Sequence, residues 1–143
     1  MNIKAKKEIA SVIARHLEFF NQSDSESIAK QICHAPVQFA GSGSHMVAKT
    51  TSDVERQFDQ IFDQIKEEGW VRSTLDNLDV VVFGGGLALA DMQYTRFTEG
   101  GEPIQPQKRT TLYVLRRIDD AWRMVAVYSH DAEDNPRIKP IEV

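Results

Sequence analysis

Asp91 stands between Leu89 and Gln93 in a stretch where apolar and polar residues alternate. A carboxyl group held on a covered sheet face is desolvated, and its rising pKa suits it to general acid or base work near neutral pH. His130 and Tyr113 are the other groups able to move or share a proton. An imidazole shuttles one, and a phenol donates to a developing oxyanion. These three are the candidate catalytic residues. Tyr128, Gln93, Arg109 and His16 are the candidate substrate contacts. Arg109 is suited to a bidentate grip on an anionic group. His16 falls on the apolar stripe of a helix, within a turn of Ile13 and Phe20. Each has a plainer reading beside it. Asp91 can form an ion pair with Arg109 or Arg117, the tyrosines and His130 can pack as amphipathic groups at sheet ends, and His16 can be a hydrogen-bonded boundary residue.

Other patterns fail on geometry. Ser129-His130-Asp131 is no triad, because neighbours in a strand point to opposite faces. Gly84-Gly85-Gly86 leads into a strand and lacks the helix N-terminus that a phosphate loop needs. The 4 histidines and Cys33 have no metal-ligand spacing, so neither metal nor cofactor is expected. Cys33 has no basic neighbours to activate it and reads as a small hydrophobe. Arg116, Arg117 and Arg123, with Asp119 and Asp120 nearby, read as a solvated sheet end.

The elements that must position these groups follow from periodicity. Ile9, Val12, Ile13, Leu17 and Phe20 recur at helical steps and predict a helix from about Lys4 to Asn21. A shorter helix is expected over Glu26 to Cys33, ended by Pro36. Val37 to Ala40 alternates, and His45 to Lys49 returns after a glycine-serine turn, which predicts a hairpin. Ser52 and Glu55 have capping-box spacing ahead of Val54, Phe58, Ile61, Phe62 and Ile65, and Gly69 stands where that helix should stop. From Trp70 the period is two. Four strands are expected, over about Trp70–Phe83, Leu87–Glu99, Gln107–Ile118 and Ala121–His130, with turns short enough to make neighbours antiparallel. Helices, a hairpin and a meander make an α+β fold, read as one domain over 1–143, with 132–143 an extended tail.

Composition limits the partners. The chain has 143 residues, 41% hydrophobic and 27% charged, with a net charge of −4. Nucleic acid and anionic membrane need a basic face and are not expected as partners. One cysteine and no visible signal peptide agree with a cytoplasmic setting.

Regular pairing through tight turns at Gly100-Gly101 and Asp119-Asp120 divides the meander into two faces. One collects Ala88, Ala90, Met92, Tyr94, Leu112, Val114, Val125 and Val127. The other mixes Leu87, Leu89, Leu115, Met124 and Ala126 with Asp91, Gln93, Arg109, Tyr113, Tyr128 and His130. Structural cores avoid so many polar groups unless they are paired, so the mixed face is expected beneath the helices as a pocket lining. The apolar face then needs a second subunit, which predicts a homodimer through the outer side of the sheet.

This order of elements resembles the nuclear-transport-factor-2-like superfamily, which includes SnoaL-type, ketosteroid-isomerase-like and limonene-epoxide-hydrolase-like proteins. The likeness runs from about Ala5 to Asp131. It rests on the hairpin Val37-Gln38-Phe39-Ala40-Gly41 to His45-Met46-Val47, the helix start Asp53-Val54-Glu55-Arg56-Gln57-Phe58, and the closing strand Trp122 to His130. It implies a cone-shaped α+β barrel, N-terminal helices closing a cavity against a curved, mainly antiparallel sheet, and dimers on the outer face. Family enzymes place carboxylates, tyrosines or histidines in that cavity, in several cases with an acid on or near the first hairpin. Val37 to Val47 contains no Asp or Glu, a departure from that pattern. The expected function is to hold a small, mostly apolar molecule with polar groups. If catalytic, it would do cofactor-free isomerisation, dehydration, cyclisation or hydrolysis. The competing expectation is a non-enzymatic binding or association module.

Overall fold

The computed structural model describes residues 2–41 and 43–131, so the tail expected at 132–143 lies outside the described residues. Helix α1 (Ile3–Asn21) is capped by the Asn2 side chain, which accepts from the Ala5 N–H, and buries Ala5, Ile9, Ile13 and His16. The next turn, α2 (Ser25–Ser27), is capped by Asp24 and widens into a π-helical turn, Ile28–Ile32. Strand β1 (Cys33–Gly41) then begins ahead of Pro36, so the helix expected through Cys33 ends at Ile32. The proline is tolerated because pairing of β1 with its neighbour skips from Cys33 to Gln38, where no N–H is required of residue 36. Strand β2 (Ser44–Ala48) completes the hairpin.

Helix α3 (Thr51–Glu67) starts slightly earlier than the spacing suggests. Thr50 and Asp53, rather than Ser52 and Glu55, exchange the capping-box hydrogen bonds. Val54, Phe58, Phe62 and Ile65 form its buried stripe, and Gly69 follows with φ +89°, in the left-handed region that ends helices. The meander is β3 (Trp70–Phe83), β4 (Leu87–Thr98), β5 (Arg109–Ile118) and β6 (Ala121–His130). Asp119 and Asp120 both have positive φ, as the tight hairpin turn demands.

The six strands form one curved, open sheet in the order β2-β1-β6-β5-β4-β3. Only β1 and β6 run parallel. The helices cover the concave side, giving the α+β cone. Ile9, Ile13, Ile28, Ile32, Phe58, Leu115 and Met124 are almost fully buried between the two layers. The largest transfer term comes from side chains like these, at roughly 1.5–3 kcal/mol each.

The register corrects the expected division of the sheet. The chain turns tightly at Gly100-Gly101, where the Gly101 N–H donates to the Thr98 carbonyl and Phe97 pairs with Pro103, but the segment that follows leaves the ladder, and Tyr94 meets Arg109 instead of Pro106, a displacement of β5 by three residues. Ala90 therefore faces Tyr113, and Asp91 faces Leu112. A second irregularity lies in β6, where Leu115 pairs with Met124 but Val114 pairs with Ala126, leaving Val125 as the extra residue. Both offsets are odd, so beyond the bulge they cancel in which face each side chain takes. Asp91, Gln93, Tyr128 and His130 do share a face, as expected, but it is the outer one. Ala88, Ala90, Met92 and Tyr94 lie on the same side as Tyr113 and Leu115, beneath the helices.

Arg123 is also not a solvated end group. Its guanidinium donates to the Cys33 carbonyl from Nε (3.1 Å) and Nη2 (2.6 Å), and to the Lys30 carbonyl (2.6 Å). It thereby satisfies carbonyls that the end of the π-helical turn leaves open.

Candidate functional site

A cavity of about 420 Å³ lies between helices and sheet. Its apolar walls come from Phe20 of α1, Phe58 and Ile61 of α3, Phe39 of β1 and Met92 of β4. Phe62 and Trp70 pack against Phe20, with ring centroids 4.8 and 5.4 Å away. Asn21 fastens the end of α1 to β3 by exchanging two hydrogen bonds with the Ser73 backbone, at 2.8 and 2.9 Å. These contacts hold α1 and its His16 in place over the sheet.

His16 lines the cavity, and its Nε2 is 3.3 Å from the Tyr113 hydroxyl. The imidazole packs edge-on to the Phe58 and Tyr113 rings. Burial lowers its pKa to about 4, so it is neutral at pH 7. Burial also drives the Tyr113 pKa well above that of free tyrosine, so the phenol keeps its proton. His16 Nδ1 is buried and has no hydrogen-bond partner among the described residues. A lone buried acceptor costs less than a lone buried N–H, so the proton belongs on Nε2, donated to the Tyr113 oxygen. A few residues away on the same face, Thr111 donates to the Tyr94 hydroxyl at 3.2 Å.

The other predicted site residues lie elsewhere. Asp91 is 2% exposed and contacts His130, with Oδ1 to Nε2 at 2.5 Å. His130 Nδ1 is 2.8 Å from the Asp131 carbonyl. Both partners are acceptors, and the ring donates to both when protonated. This pair and Tyr113 are on opposite sides of the sheet. Asp91 thus has a side-chain partner, but it is His130 rather than Arg109 or Arg117. Gln93 and Tyr128 are on the outer face too, where the Tyr128 hydroxyl donates to Gln38 Oε1 at 2.5 Å. Arg109 is on the concave side opposite Tyr94 but does not line the cavity, and one of its Nη2 hydrogens goes to the Gln105 carbonyl.

Several lining residues escaped the sequence reading: Tyr94, Arg96, Thr111, Ser129 and His45. Tyr94 and Arg96 sit at even positions of β4, the set taken for an outer face. Ser129 faces the cavity while His130 turns away, as strand alternation requires. The Cys33 thiol is buried and pushed up to about 12, which leaves it inert. Among the described residues no three His, Cys, Asp or Glu side chains gather as metal ligands. No described helix is long and apolar enough to cross a membrane.

Residues 7–132 match the model of a family described as NTF2-like protein (DUF6841). The chain belongs to this NTF2-like family. A search of curated protein sequences finds no match. Solved structures agree on the fold. An NTF2-like protein with a cystatin-like fold from Novosphingobium aromaticivorans is 20% identical, with TM-score 0.72, covering 94% of this chain and 86% of its own. A cystatin-like domain of unknown function from Nostoc punctiforme is 18% identical, with TM-score 0.71 and coverages of 90% and 78%. An NTF2-like superfamily protein from Salmonella enterica serovar Typhimurium is 19% identical, with TM-score 0.67 and coverages of 99% and 100%. At these identities the likeness of the NTF2-like chain to its neighbours concerns the fold alone, and its chemistry rests on its own residues.

Proposed function

We propose that this NTF2-like protein holds a small, mostly apolar molecule in the cavity between helices and sheet. The supporting observation is the pairing of neutral, buried His16 with Tyr113 on the wall of a cavity whose lining combines the Phe20, Phe39 and Phe58 rings, Ile61 and Met92 with polar groups such as Thr111 and Ser129. His16 donates to the Tyr113 oxygen and polarises the phenol, whose own proton is then available to a carbonyl or hydroxyl of the guest. In a catalytic cycle the same phenol is the oxyanion donor of a cofactor-free acid–base reaction. A binding role without turnover is the second reading. It is favoured by the identity of the lining acids: Glu68 is the one carboxylate among the lining residues, and its side chain is 51% exposed. Asp91 and His130 are proposed to stiffen the outer face rather than to touch the guest. On that face, Val81, Phe83 and Leu87 are 44%, 38% and 36% exposed, which supports a homodimer through the sheet.

The test is NMR titration of the full chain with neutral aromatic and alicyclic amides and alcohols, following the Met92 methyl and the Tyr113 ring. Saturable shifts at both are expected, absent in Ile61→Trp, which fills the cavity. Tyr113→Phe should weaken binding about fivefold, the worth of one hydrogen bond. If no compound in such a set shifts either signal, the binding reading fails.

A further inference from the structure

Arg96 is the cation on the cavity wall, and it is poorly satisfied. Its side chain is only 15% exposed, yet its guanidinium donates no hydrogen bond to any described residue. Nε is buried without a partner. The nearest carboxylate oxygen, Glu68 Oε2, is 3.8 Å from Nη1, beyond the 2.7–2.9 Å typical of a charge-assisted hydrogen bond. The Tyr94 ring lies beneath it, 5.8 Å from the guanidinium carbon, which fixes its height above the sheet without using a donor.

A second guanidinium sharpens the imbalance. Arg109 stands opposite Tyr94 on the neighbouring strand and on the same face, and its Nε is likewise buried without a partner. Burial and the proximity of Arg96 both lower its pKa. Two cations thus share one loosely held, half-exposed carboxylate, leaving an excess positive charge where desolvation makes it expensive. Unused donors in a planar fork on the wall of this cavity are complementary to one ligand group, a planar anion with two acceptor oxygens.

We propose that the molecule held in the cavity is a monocarboxylate, its carboxylate gripped by Arg96 with Arg109 adding field from the side, and its apolar body lying against Phe20, Phe58 and Met92. This rests on the small-molecule reading above and names the chemical class of the guest. Arg109, the clamp that the sequence suggested, thereby becomes a neighbour that strengthens the clamp. Glu68 holds the Arg96 fork loosely and is displaced when the ligand enters.

The experiment compares each acid with its own primary amide, a neutral group of nearly the same shape. Cinnamate, phenylacetate, phenylbutyrate and cyclohexanecarboxylate are titrated against the full chain by calorimetry, each beside its amide. At least one acid is expected to bind about tenfold tighter than its amide, the worth of a charge-assisted hydrogen bond. In Arg96→Gln the acid loses more affinity than its amide, and the preference disappears. Arg96→Lys keeps the charge but not the fork and retains part of the preference. The wild-type comparison needs no variant, so a folding defect in Arg96→Gln does not rescue the idea. Equal binding of acid and amide, or a preference that survives in Arg96→Gln, overturns the carboxylate assignment and leaves the cavity reading standing. If neither member of any pair binds, both fall.

Discussion

His16 Nε2 and the Tyr113 hydroxyl lie 3.3 Å apart, across 97 residues of sequence, at the junction of helix α1 and strand β5. One partner is an imidazole kept neutral by burial, and the other is a phenol kept protonated by burial. The contact therefore carries no formal charge at pH 7. Its protonation state is set by its surroundings rather than by a nearby ion.

The depressed pKa of His16 makes folding sensitive to acid. The unfolded chain protonates this histidine near pH 6.5, and the folded protein does so only near 4. Stability is therefore undiminished above pH 6.5 and is lost as pH falls towards 4. The loss amounts to about 3 kcal/mol for this one group. Urea unfolding across that range should show His16→Phe losing about 3 kcal/mol less than wild type. Parallel pH profiles would mean that His16 titrates normally in the folded protein.

Asp91 and His130 are coupled on the outer face. Asp91→Asn keeps the shape and removes the charge from a nearly buried site. Loss of the contact with His130 should cost about 2 kcal/mol. His130→Ala should make that loss largely disappear, which a double-mutant cycle measures. A gain in stability for Asp91→Asn would instead mark the carboxylate as a strained, functional charge.

The exposed apolar residues at the end of the β3–β4 hairpin provide a test of association. Val81→Glu combined with Phe83→Lys places charges on the outer face without touching the cavity. Sedimentation at tens of micromolar protein should show a dimer for wild type and a monomer for the double variant. A monomeric wild type removes the homodimer from the account.

Arg123 ties β6 to the π-helical turn through three hydrogen bonds to backbone carbonyls. Arg123→Met retains much of the apolar stem and loses the donors. A destabilisation of about 2 kcal/mol is expected in chemical denaturation, with little change in cavity binding. A change below about 0.5 kcal/mol would mean that water replaces the guanidinium at no cost.

The local elements were legible because they are properties of short stretches. The stripe from Ile9 to Phe20 defines α1. The period-two runs bounded by glycine and aspartate pairs define β3 to β6, within two residues at either end. Gly69 stops α3 where its lack of a Cβ allows positive φ. The resemblance to NTF2-like proteins came from the order of these elements, and His16 was found because a polar residue interrupted an apolar stripe. Ser129 and His130 point to opposite sides, as alternation alone demands.

The pairing of one strand with the next is not a property of either strand. Three extra residues between the Phe97–Pro103 pair and the Tyr94–Arg109 pair, and one extra residue at Val125, decide which side chains share a face. A shift of one residue sends every side chain on a strand to the other side of the sheet. That is why Asp91 stands against His130 on the outer face while Tyr113 stands against His16 in the cavity. It is also why Tyr94 and Arg96, indistinguishable in sequence from an outer-face set, line the pocket. The sequence by itself determined the elements and their order. Tertiary structure alone decided which polar groups meet, because a bulge and a loop length act over the whole strand that follows them.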